Sequence, residues 1–595
     1  MLLVTTPLEK SWGKDEKICF LGTWCCLYSR KDVWGKRNHE VMPYHWDDRQ
    51  KAFNDFQYLQ SLNKTLLQEL TPILNNLHGT NYSVRSWNLL IGYWLTQFTS
   101  VILDRWTMID RAVKQHDNLE TIVFSNELKD LAPNDTREAG EFFVQDEWNH
   151  VIYNEIIRKC TDIQIIKQAR VSLLTKVESL VLNSAQSSLL ASSKSFIKRV
   201  ISKLSSFTIH NNAYFFSSTG LRPFALMKLH VSLGLFPTFV RFPDSPIVPC
   251  DSQFRKWELD TLETESQLEK IIRLFLPMCM PKTYLEGFLE CRKIIKKIKL
   301  PKSPKVIFTS NDHFSNDLFK IWAIDNLEKG ARLVIGQHGG GAFHKFNGGT
   351  SFELRVCDSY ITTGKGNNVA QYIHHVGRFN NKLSFEKYDK NGVGILMAVA
   401  MPRYSFDLRA MVIAGQMNSY FKNQFSFYTN LRKSIQKKLN VRIYPDGDYG
   451  WEQKKRWADH FPFVLLDEAT SSIDKQVKKC RLVISTYNAT TYNETLANNI
   501  PTVIYWDTTL WEISSVSLPY FEELKKVGIF HDTPESAARH INNIWDDISL
   551  WWKSSEVQTA RNNYCEQYAS ISSNMINKLE SSLRKEMKLA VNKKC

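Results

Sequence analysis

A chain of 595 residues is too long for a single core, so two large domains with an extra helical layer are expected. The formal net charge of +15 and pI near 9.1 point to an anionic partner, whether nucleic acid, a membrane surface or a phosphorylated substrate. Eleven cysteines without a C-x-x-C pair or a repeated spacing argue for reduced thiols rather than a disulfide framework or a zinc site, and no apolar run reaches the ~20 residues of a membrane span.

Glu9, Lys10, Lys14, Asp15, Glu16 and Lys17 interrupt the N-terminus, which is not the pattern of a signal peptide. The run from Lys17 to Gly22 reads as a short strand closed by glycine, with Trp24, Cys25 and Cys26 at its carboxyl end. From Asp47 to about Arg111 the pattern is helical and rich in tryptophan. Tyr93 and Trp94 read there as core aromatics, with sugar stacking as the alternative. Ser125 to about Leu204 is also helical in pattern, and its run Asp146-Glu147-Trp148-Asn149-His150 reads as a solvated face. Glu138, Glu141 and Glu147 are the candidate acids of that stretch. Tyr214-Phe215-Phe216 and Thr238-Phe239-Val240 read as strands, and Trp257 to Lys299 as helix, broken by Pro301 and Pro304.

The stretch Val306 to Gly341 then gives a strand (Val306 to Phe308), a polar turn with Asp312, His313 and Asp317, and a helix from about Asn316 to Lys329. A second strand, Leu333 to Ile335, ends in Gly336-Gln337-His338-Gly339-Gly340-Gly341. Such a βαβ unit sends both carboxyl-end loops to one sheet edge, where open α/β sheets bind ligands. Tyr360 to Gly364 reads as another strand, and the polar stretch 377–391 as a linker between domains 1–376 and 392–560. The second domain alternates strands at Gly392 to Val399, Val441 to Pro445, Phe463 to Leu466, Leu482 to Ser485 and Thr502 to Trp506 with helices, including a long one over Asp407 to Lys438. The expected fold is α/β, with two Rossmann-like doubly wound domains, helical additions in the N-terminal half and a basic C-terminal helix over 561–595.

Phe463 to Asp474 resembles a Walker B strand, yet no G-x-x-x-x-G-K-[ST] loop occurs to cradle phosphates, which excludes an ATPase of that type. Asp446-Gly447-Asp448 matches a metal-chelating D-x-D and equally a turn. No cofactor and no metal dependence are expected. The run Ser485 to Ala497 is a strand leading through hydroxyls into a helix, with Thr491 and Glu494 at capping-box spacing. The helix start would expose N–H groups to a phosphate, with hydroxyls of Ser485, Thr486 and Thr490 as further donors.

FLGTWCCLYSR (Phe20 to Arg30), SNDLFKIWA (Ser315 to Ala323), IGQHGGG (Ile335 to Gly341), RIYPDGDYGW (Arg442 to Trp451) and the Ser485 to Val503 segment together resemble transferases of bacterial surface-polysaccharide clusters. More distantly the chain is similar to GT-B enzymes that use CMP-activated acid sugars, namely Kdo transferases and some bacterial sialyltransferases. This resemblance implies a glycosyltransferase moving a CMP-linked Kdo-like or nonulosonic acid onto a surface glycan or lipid-linked glycan. It implies a nucleotide motif at Tyr444-Pro445, where no histidine precedes the proline, and another at Ser485-Thr486. Glycosyl transfer needs a carboxylate near the anomeric carbon and donors for the leaving phosphate. Asp312 and Asp317 are the candidate carboxylates, with Asp317 equally placed to cap a helix. His338 and His344 are further catalytic candidates, and Gln337, Gly339, Gly340 and Glu494 join the donor site. A cytoplasmic location at the inner, anionic face of the membrane is expected. Nucleic acid is the disfavoured partner, and a non-catalytic glycan- or lipid-binding assembly factor is the rival reading.

Overall fold

Short apolar runs, each followed by a polar or glycine-rich turn and a helix, lead among the described residues to three all-parallel sheets. The computed structural model describes residues 1–14, 16–124, 131–168, 212–260, 266–340, 343, 345, 351–366, 370–379, 391–444, 449–478 and 480–592. The first sheet holds β1 (Leu2–Val4), β2 (Ile18–Phe20), β3 (His39–Val41), β4 (Glu120–Phe124) and β5 (Gln164–Gln168) in the order β3-β2-β1-β4-β5. The second holds β6 (Tyr214–Ser217), β7 (Val306–Thr309), β8 (Arg332–Gly336), β9 (Ser359–Thr362) and β10 (Ile373–His375), ordered β10-β9-β8-β7-β6. The third holds β11 (Val393–Met397), β12 (Leu439–Arg442), β13 (Leu465–Asp467), β14 (Cys480–Ser485), β15 (Thr502–Tyr505) and β16 (Phe530–His531), ordered β13-β12-β11-β14-β15-β16. Their central strands are buried along their length, as covered parallel sheets require.

The single domain expected over 1–376 thus carries two sheets. Strands β1 and β3 span three residues each, too few to reveal a period, and β5 falls in a stretch read as helical. The expected strand at Thr238 to Val240 is irregular backbone with Phe239 turned to solvent. The tryptophan-rich helical stretch divides into α1 (Arg49–His78) and α2 (Val84–Gln115). Asp48 caps the first by accepting from the Lys51 amide at 3.0 Å, and Gly79, with φ +60°, ends it in the left-handed region that glycine enters at little cost. Trp87 and Trp94 are fully buried, so both are core aromatics.

Four further helices matter below: α3 (Asp146–Cys160), α4 (Pro223–Ser232), α5 (Asp317–Leu327) and α6 (Thr490–Ala497). The expected C-terminal helix is in fact two, α7 (Ser555–Tyr568) and α8 (Met575–Asn592), so a boundary at 560 would cut through α7. Helix α8 returns to the second sheet, where Leu579 and Leu583 close a cluster with Val306, Phe308, Val334 and Ile361. Each of those leucines contributes about 1.5–3 kcal/mol by leaving water. Most of the 377–391 linker lies outside the described residues. No helix among the described residues is long and apolar enough to cross a membrane.

Candidate functional site at the seam of two sheets

In the third sheet the chain builds outward from β11 to β12 and β13 on one side, and from β14 to β15 and β16 on the other. The switch point between β11 and β14 opens a crevice at their carboxyl ends. Helix α6 starts there, and the loop after β8 of the second sheet meets it. The Gly340 amide donates to Thr490 Oγ1 at 3.0 Å. A Cβ at Gly340 would stand 2.7 Å from Asn493 Nδ2 and 3.1 Å from Thr490 Cα, while Gly339 has φ +70° and lies against the same threonine. The glycines are required by this close approach.

Gln337 fixes the loop. Its buried side chain donates to Gly339 O at 3.1 Å and accepts from the Thr363 amide at 3.0 Å. His338 is left exposed at the strand end, its ring edge-on to Phe314 at 6.4 Å. Helix α6 begins at Ala489 without a side-chain cap, so no capping side chain takes its first-turn N–H groups. The expected capping box is absent: Glu494 instead accepts from Arg378 Nη2 at 2.7 Å, and Thr491 bonds Tyr487 at 3.1 Å. Arg378, missed by the sequence reading, is 9% exposed, and its Nε and Nη1 are buried with no partner among the described residues.

Ser485 and Thr486, expected to bind the nucleotide, are buried and occupied. Ser485 Oγ donates to Tyr487 O at 3.3 Å; Thr486 Oγ1 donates to Met397 O at 2.8 Å and meets Tyr420 Oη at 2.6 Å. Thr486 ties the exit of β14 to β11, and Ser485 holds the turn that follows it. Tyr444 is half-buried and stacked on Tyr449 at 6.4 Å. Pro445, the Asp446-Gly447-Asp448 turn and His344 lie outside the described residues.

The two candidate aspartates separate. Asp317 is buried and saturated: it accepts from the Thr136 amide at 2.9 Å, Thr136 Oγ1 at 2.7 Å, Thr283 Oγ1 at 3.0 Å and Tyr284 Oη at 2.9 Å, and pairs with Lys320 at 2.7 Å. Burial opposes its charge, but Lys320 and these donors more than offset that and hold the carboxyl below its usual range. Its lone pairs are used in holding the fold together, and the α5 cap is Asn316, accepting from the Phe319 amide at 3.1 Å. Asp312 is half-buried, takes the Ser217 hydroxyl, and lines a cleft of about 200 Å³ with Asp135, Arg137 and Arg241, a cleft that Asp317 also borders. None of those residues belongs to the third sheet. Asp146, read in the sequence as solvated, accepts from Arg403 at 3.0 Å, and the candidate acid Glu138 takes the Asn134 amide.

Two buried groups remain, His313 of the polar turn and Glu353, which no motif announced. His313 is fully buried with neither ring nitrogen paired among the described residues, and burial lowers it to about 3. Glu353 is 4% exposed with Oε2 unpaired, and burial raises it to about 7 despite the nearby Arg409 and Arg355.

The second and third sheets thus meet at their carboxyl edges, with an uncapped helix start on one and an exposed imidazole on the other. The LIC12162 family of transferases is matched over residues 1–583, and the chain belongs to that family. No curated protein sequence matches it. Among solved structures, it is similar to MurG of Acinetobacter baumannii (12% identity, 62% of this chain and 98% of that one, TM-score 0.33). It is also similar to the wall teichoic acid polymerase TagF (9%, 68% and 97%, 0.31) and to Anabaena HepE in complex with UDP and glucose (10%, 64% and 100%, 0.32).

Proposed function

We propose that this transferase is a GT-B-like glycosyltransferase that moves a sugar from a nucleotide donor to a surface glycan or lipid-linked glycan. The observation that carries the reading is the seam itself, where the Gly340–Thr490 contact brings His338 and the start of α6 to one crevice. The donor phosphates meet the first-turn amides of α6, and the Arg378 guanidinium supplies positive charge as the phosphate leaves. His338 accepts the proton of the acceptor hydroxyl as the new glycosidic bond forms. Gln337 keeps that imidazole in place. No step calls on a metal. A CMP-linked acid sugar remains the donor of choice through the sequence resemblance, although Ser485 and Thr486 act in it as supports rather than contacts.

A place at the inner face of a membrane is supported by one surface. On α4, Phe224 and Val231 are 79% and 67% exposed on one helical face, with Ile247 at 90% nearby in sequence and Arg222, Lys228 and Arg241 exposed among them.

The test is donor hydrolysis or transfer by the purified chain across CMP-, UDP- and TDP-sugars. Turnover with at least one donor is expected, falling about 100-fold or more in His338→Ala with the fold intact. If the wild-type chain neither binds nor turns over any donor, the proposal fails in favour of a non-catalytic assembly factor.

A further inference from the structure

Outside the seam, one group of side chains has the make-up of a metal site. Cys19 on β2 and Glu40 on β3 are direct partners in the parallel register, so their side chains rise from the same face of the first sheet. His116 ends α2 over that face and brings Nε2 within 2.9 Å of Glu40 Oε1. The Cys19 thiol, the Glu40 carboxylate and the His116 ring nitrogen all lie within 4.8 Å of one another. Metal–ligand bonds of about 2.0–2.3 Å at tetrahedral angles set ligand atoms about 3.3–3.6 Å apart, inside the span from 2.9 to 4.8 Å found here.

We propose that Cys19, Glu40 and His116 bind a zinc ion that staples β2 and β3 to the end of α2. Glu40 Oε1 and His116 Nε2 are shut off from water, and their short contact lacks the geometry of a hydrogen bond; neither has another partner among the described residues. A buried acceptor facing a buried ring nitrogen beside a fully buried thiol leaves polar atoms that a cation would satisfy. Lys17 Nζ, 3.2 Å from Glu40 Oε2, holds the other carboxylate oxygen and leaves Oε1 turned inward. In the metal-free protein, burial and then the Glu40 charge push the thiol up to about 12. Binding therefore displaces a proton: the S–H bond breaks, the sulfur keeps the electron pair and donates it to Zn²⁺, and H⁺ leaves to solvent. Thiolate and carboxylate then balance the dication with no change of oxidation state.

The test uses the full chain, purified without chelator or a metal-affinity step, loaded with zinc(II), desalted and analysed by inductively coupled plasma mass spectrometry. About one zinc per chain is expected, and cobalt(II) in its place is expected to give the intense near-ultraviolet thiolate charge-transfer band. Cys19→Ser and His116→Gln should lose both the metal and the band while keeping the wild-type circular dichroism. His116 sits at a half-buried helix end, where glutamine preserves the volume. Chelation should lower Tm in the wild type alone. Wild-type zinc content no higher than that of the two variants, or a cobalt complex without the thiolate band, overturns the proposal.

Discussion

Asp312 and Asp317 flank one short turn and have opposite fates. Asp317→Asn leaves Lys320 buried without its counter-charge, so a loss of about 3–5 kcal/mol is expected by urea denaturation. Asp312→Asn, at a half-buried cleft wall, is expected to cost under about 1 kcal/mol. Equal losses for the two would refute the assignment of Asp317 to structure. The sequence could offer Asp317 only a capping role, because the groups that claim it, Thr136, Thr283 and Tyr284, are brought to it by tertiary folding. Glu353 makes a second residue-scale prediction. Its folded pKa of about 7 lies above the unfolded value of ~4.3, so the folded state holds the extra proton between them. Its contribution is complete below the unfolded value and is lost as pH rises through about 7, on the order of 3 kcal/mol in all. Glu353→Gln should flatten that part of the stability-versus-pH curve; an unchanged slope would contradict it.

At the scale of elements, the loop after β8 and the start of α6 act as one hinge contact. Gly340→Ala puts a methyl against Asn493 and the Thr490 backbone, which must part by several tenths of an ångström. The expected result is a roughly tenfold or greater fall in kcat/KM with Tm changed by only a few degrees, read by donor kinetics beside a thermal melt. This loop was legible because a glycine run abruptly ends an apolar strand. The helix expected over Asp407 to Lys438 was misleading. Its first part is irregular backbone, with Leu408, Ala410 and Val412 buried and Arg409 and Met411 less so, an alternation of period two; regular helix starts only at Met417. Short strands such as β1 and β3 were invisible for the opposite reason, having no room for any period.

For the molecule as a whole, the first sheet is seated on the third through that extended segment. Arg403 donates to Trp24 O at 2.9 Å and pairs with Asp146, Tyr404 donates to Asp146 at 2.8 Å, and Gln416 reaches Trp46 O at 3.0 Å. A parallel α/β architecture followed from alternating patterns, but the number of sheets and their docking did not, since both depend on such distant pairs. The net charge of +15 bears on the membrane surface proposed for α4. Vesicles containing about a third anionic lipid should sediment the wild-type chain in low salt, and Phe224→Glu with Val231→Glu should release it without lowering Tm. Equal sedimentation of wild type and variant would remove α4 from the membrane surface.

The return of α8 to the second sheet sets a timetable for biosynthesis. Strands β6 to β10 emerge from the ribosome with the apolar face of Val306, Phe308 and Val334 still lacking Leu579 and Leu583. Roughly 200 residues of translation separate His375 from α8, about 10–40 s at ~5–20 residues per second. Throughout that interval the nascent sheet presents a sticky surface, a natural client for chaperones. A premature stop between Tyr568 and Met575 would release a chain carrying both walls of the seam but lacking the helix that closes its second sheet.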